Sequence, residues 1–171
     1  MSKHWRISSL NGALLAAYFI PSWTMIAFKI MISPIHGLYE RPSISLALYV
    51  SDHLQLAGMA TVRFAWLLAL GRITVVAFFA IFLVFLTRAA IRKGGGSSEA
   101  LAIALAIGSV ISFASMIAAS QVGETAALRM HAAELLMMLG TAIVMLVEPP
   151  ARAQVEAETG AAPGNLSLQQ S

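Results

Sequence analysis

Four stretches of this chain are each long and apolar enough to cross a lipid bilayer, and that narrows the fold more than any other feature. Spanning the ~30 Å hydrocarbon layer as a helix takes about 20 mostly apolar residues. Residues 10–32, 64–87, 100–122 and 127–147 each reach that length. Lipid offers no water to unpaired backbone groups, so each stretch must be a helix or part of a closed barrel. Barrel strands need only about 10 residues of alternating polarity, and these runs do not alternate. The sequence therefore predicts an all-α, polytopic membrane protein: a four-transmembrane-helix bundle over residues 1–148. Composition agrees, since only 11% of residues are charged against about 25% in soluble domains.

The connecting segments supply the topology. Lys3 and Arg6 precede the first run as in a signal peptide, but the run outlasts the 7–15 residues of an h-region, which predicts an uncleaved span. Pro21 lies within it and predicts a kink. A cytoplasmic N-terminus places Lys3, Arg6, Arg88, Arg92, Lys93 and Arg152 inside, and Arg41, Arg63 and Arg129 outside. Six against three favours both termini cytoplasmic, in a bacterial-type inner membrane. In the outer loop, Ser43 to Met59 is apolar but too short to span once Asp52 and His53 are counted. It predicts a short interfacial helix. Gly94 to Gly96 form a flexible link, with Ser98 as N-cap and Glu99 at the positive end of the next helix dipole. Residues 149–171 read as a disordered polar tail that begins at Pro149 and Pro150.

One residue conflicts with its surroundings. Arg72 sits mid-run, where a guanidinium costs roughly 2.5–3.5 kcal/mol on insertion scales. A four-residue spacing groups it with Ala65, Ala69, Val76 and Ala80, and small residues mark helix–helix contacts in membranes. The third span carries a similar packing face in Ala104, Gly108, Ser112, Ser115 and Ala119. On the fourth span, Ala127, His131, Glu134, Met138, Thr141 and Met145 share a face that holds the only acid at matching depth. An Arg72–Glu134 ion pair across facing helices is the expected consequence. Such a pair either fixes helix register or, with His131, Thr141 and Ser112, lines a proton path or polar ligand site. Lys29 lies near a span end and is expected to snorkel.

Chemistry beyond this pair has little support in the sequence. There is no cysteine, which removes disulfides, thiolate metal sites and thiol nucleophiles. Of His4, His36, His53 and His131 only the last falls in a span, so His131, with His53, is the one route to haem, and no cofactor is predicted otherwise. No metal site is predicted, because His131 and Glu134 lack the further carboxylates that bundle sites use. Hydrolase, P-loop and dinucleotide motifs are missing from the sequence. The basic residues form no stripe with aromatics, which argues against nucleic acid. The leading expectation is an inner-membrane protein acting by association, as an accessory or anchor subunit. Its partners are the lipid bilayer and either other membrane subunits or copies of itself. The alternatives are a small transporter or proton-coupled channel using Glu134 and Arg72, and a haem- or quinone-linked electron-transfer anchor.

Overall fold

The computed structural model describes residues 6–32, 41–55, 58–88 and 96–148. Their regular structure is entirely helical: α1 (Ile7–Ile32), α2 (Arg41–His53), α3 (Gly58–Thr87), α4 (Gly96–Val122) and α5 (Thr125–Val147). Four of these, all but α2, are long and apolar enough to span a membrane. The chain is a multi-pass membrane protein of four spanning helices with a short helix in the first long connection. The expected tail over 149–171 lies outside the described residues, as does most of the Gly94 to Gly96 link. Gly96 itself begins α4, so the helix starts before the expected Ser98 cap.

The spans pack in chain order. α1 lies against α3, α3 against α4, α4 against α5, and α5 closes the ring on α1. Sequential neighbours in an up-down-up-down bundle need only short connections, and the α4–α5 junction shows one. Gly123 adopts φ +76°, a left-handed conformation that costs glycine nothing. The amide of Glu124 then donates to the Ala119 carbonyl at 3.0 Å, the six-to-one bond of a Schellman cap.

Each span buries a seam that repeats every seven residues. On α3 it holds Ala65, Arg72, Phe79 and Leu86 together with Leu68, Val75 and Phe82. A 3.5-residue repeat keeps a straight face only if helices supercoil left-handedly. This corrects the four-residue spacing assumed for α3. Ala80 is exposed and Val76 only half-buried, while Phe79 and Phe82 point inward. The faces expected on α4 and α5 fit better: Ala104, Gly108, Ser112, Ser115, Ala119, Ala127, His131, Glu134, Met138 and Thr141 are all buried.

The two ends of the bundle differ. At the proximal end, where α1 begins and α5 stops, Glu148 reaches the first turn of α1. Its Oε1 accepts from the Ser8 amide at 3.1 Å, and its Oε2 accepts from Arg6 Nε at 3.1 Å and from the Ser8 hydroxyl. The first amides of a helix have no intrahelical partner and favour negative charge, so Glu148 acts as a cap supplied by another helix. Burial pushes its carboxyl up, but the Ser8 hydrogen bonds and the Arg6 charge outweigh this and hold it below the usual carboxylate range. At the distal end, α2 packs on α3, α4 and α5. The expected interfacial helix over Ser43 to Met59 is thus shorter, and Met59 belongs to α3. Ala47 is buried in a cluster with Ala27, Ile30, Ala65 and Ala69, and Ser51 and Thr61 share a hydroxyl bond of 2.6 Å.

Candidate functional site

The polar side chains of four different helices or their seams meet at one level. Counted from the proximal ends at ~1.5 Å per residue, Trp23, Arg72, Ser112 and Glu134 all lie about 20–24 Å up their helices. Arg72 is deeper than expected, almost midway along α3, because that helix begins at Gly58 and not near residue 64. Arg72, Glu134, His131 and Trp23 are each 2% exposed, and Ser112 is 1% exposed. The seven-residue seams described above turn all of them inward.

Glu134 is the centre of this layer. Its Oε1 accepts from Trp23 Nε1 at 2.9 Å. Its Oε2 accepts from the Ser112 hydroxyl at 3.2 Å and pairs with His131 Nδ1 at 2.9 Å, one turn along the same helix. A buried carboxylate is tolerable only with its lone pairs engaged, and α1, α4 and α5 each contribute one donor.

The expected direct contact between Arg72 and Glu134 is not among the hydrogen bonds and ion pairs of the described residues. Trp23 stands between their roles. Its ring carries the Arg72 guanidinium, with Cζ 5.8 Å from the ring centroid, while its N–H serves the carboxylate. The electron-rich ring face attracts a cation, by about 2 kcal/mol or more when desolvated, and the N–H at the ring edge is a donor. One indole therefore joins both charges. Its own position is set by Phe19, which meets it edge-on at 5.0 Å and stacks on Phe79 at 5.6 Å.

The other sequence candidates separate. His131 and Ser112 belong to the layer. Thr141 is buried but gives its hydroxyl to the Met137 carbonyl of its own helix at 3.0 Å. Below the layer, towards the proximal end, Phe19, Phe79, Phe82, Leu101, Leu105 and Met138 form a continuous apolar core. His53 is exposed and stacks on Tyr49 at 5.6 Å, far in character from the buried His131. No group of three His, Cys, Asp or Glu side chains suited to a metal occurs among the described residues.

Two contributors escaped sequence reasoning. Trp23 carried a signal: an indole in mid-span needs a partner for its N–H, since lipid supplies none. Glu148 carried a weaker one, an acid at the end of the last span on the side expected to hold Arg6. Comparison with protein-family models, with curated proteins and with solved structures gives no significant match to this chain.

Proposed function

We propose that this protein is a membrane subunit that works by association, docking a transmembrane helix of a partner chain on the outer face of α5. The observation that carries the reading is Gly140. Glycine in a helix interior costs about 1 kcal/mol relative to alanine, so it needs a reason. Gly12 and Gly108 have internal ones, because a Cβ there would lie 2.6 Å from Leu101 Cδ2 and 2.7 Å from Met138 Sδ. At Gly140 a Cβ would meet nothing within 4 Å.

Gly140 is also in register with its neighbours. Ala126, Ala133, Gly140 and Val147 recur every seven residues on the exposed face, with Arg129, Leu136 and Ile143 between them. Small residues let helix backbones approach closely in lipid, and a seven-residue repeat is the seam of left-handed pairing. Leu136 and Ile143, 71% and 60% exposed, then act as knobs beside the notches. A second copy in the same orientation is the simplest partner, since a two-fold axis along the membrane normal presents the same seam to itself. The N-in, C-in orientation in an inner membrane is part of the same reading. Transport draws less support, because the apolar core fills the proximal half of the bundle.

The chain lacks cysteine, so single-cysteine cross-linking has no background. Ala133→Cys and Gly140→Cys should give oxidative dimers, or a discrete larger adduct, in native membranes. Leu67→Cys on the exposed face of α3 should not. Cross-linking at Leu67 that equals cross-linking at Gly140 would remove the reading.

A further inference from the structure

The polar layer contains donors that nothing uses. Arg72 Nε and Nη1 and Ser115 Oγ are enclosed and have no hydrogen-bond partner among the described residues. Arg72 is 2% and Ser115 1% exposed. Leaving a buried donor unmade costs about 1–3 kcal/mol, and more for a charged group. Glu134 does not meet this need in the observed arrangement, because its carboxylate is directed to Trp23, Ser112 and His131.

The two sets of unused donors approach one depth. Side chains lean toward the N-terminus of their helix. Arg72 starts about 22 Å above the proximal end of α3 and leans distally, since α3 begins at the distal end. Ser115 starts about 28 Å up α4, which runs the other way, and leans proximally. The helices α3 and α4 are direct neighbours. A cation and a hydroxyl donor without hydrogen-bond partners therefore approach one depth near the middle of the bundle, with the buried Trp23 ring against the guanidinium.

We propose that Arg72 and Ser115 bind a small monovalent anion, of halide or formate size, inside the bundle. The anion enters without any covalent bond being made.

The site is independent of the association reading, since it lies inside the bundle and the seam outside.

Trp23 touches Arg72 and reports on it. In the full chain with Trp5→Phe and Trp66→Phe, Trp23 is the sole indole, because the sequence has three tryptophans. Chloride or formate, exchanged against gluconate at constant ionic strength in micelles, should change its emission saturably. Ser115→Ala should weaken the midpoint about fivefold, and Arg72→Gln should abolish the response. A flat titration of the unmutated site overturns the proposal. So does an equal response to sulfate, which indicates screening, or to acetamide, which indicates a neutral acceptor. The unmutated site and Ser115→Ala decide the matter even where Arg72→Gln fails to fold.

Discussion

Gly12→Ala and Gly140→Ala make the same chemical change at two positions and should have opposite effects on stability. Each replaces a helical glycine and gains roughly 0.8–1 kcal/mol of propensity, so that contribution cancels in the comparison. What remains is space. A Cβ at Gly12 would sit 2.6 Å from Leu101 Cδ2 and 2.9 Å from Phe82 Cζ. Leu101 and Phe82 are each 1% exposed, and both belong to the apolar core. Neither can retreat without displacing a third side chain, and overpacking of this kind costs about 1–3 kcal/mol. Gly140 faces open space and pays none of it. Gly12→Ala should therefore be less stable than Gly140→Ala by about 1–3 kcal/mol. The measurement is denaturant titration of helical circular dichroism in micelles, at a dilution that keeps chains apart. Gly108→Ala should fall between them, because its obstacle is the Met138 Sδ at 2.7 Å and methionine adapts readily. Equal stabilities for Gly12→Ala and Gly140→Ala would refute the packing of the Leu101 and Phe82 side chains against Gly12.

Two further outcomes follow from the polar contacts. Trp23→Phe keeps an aromatic ring under Arg72 but removes the Nε1 donor from Glu134, and should cost about 1.5–3 kcal/mol by the same titration, the range for hydrogen bonds to charged groups; a loss below about 0.5 kcal/mol would mean that the bond contributes nothing net. Glu148 is held below its ordinary value of 4.5 by Ser8 and Arg6, so its stabilising effect is present above that value and fades as pH falls through the depressed one. Glu148→Gln should thus be less stable than the unmodified chain at neutral pH, and unfolding curves of the two should converge in acid, whereas a constant gap across pH would refute the capping role.

The fold was legible because the membrane makes it so. With no water available to backbone groups, length and apolarity alone decide that a segment is a helix, and all four spans could be read this way. Boundaries were harder. The span containing Arg72 was read as starting near residue 64, but α3 begins at Gly58; the polar flank of Arg63 looks like loop in a hydropathy reading, yet an exposed arginine at a helix end can extend its head to the interface. The inward face of α3 was partly misread for a related reason. A four-residue step is a fair local approximation, but two in succession, from Arg72 through Val76, drift away from the 3.5-residue repeat of packed helices, and so Ala80 was placed where Phe79 and Phe82 are found. On α4 and α5 every expected face residue is buried except Met145, which is half-buried.

The charged layer shows what depth and face can establish and what they leave open. They matched Arg72 and Glu134 in depth, with His131 one turn away, which needs only rise per residue and seam position. They did not reveal that a third group stands between cation and anion. A direct ion pair in lipid must repay the desolvation of both partners by good geometry, and it saturates each charge with the other. Sharing the indole is a different solution: the carboxylate collects donors from α1, α4 and α5, and the guanidinium takes the ring face. That arrangement satisfies Glu134 completely enough to be buried, and it leaves Arg72 with enclosed N–H groups still unused. The distinction matters because a saturated pair can only hold helices together, whereas an unsaturated cation retains affinity for something else. Trp23 is therefore the residue on which structural and binding roles diverge, and its apolar neighbours Phe19 and Phe79 are what hold it in place.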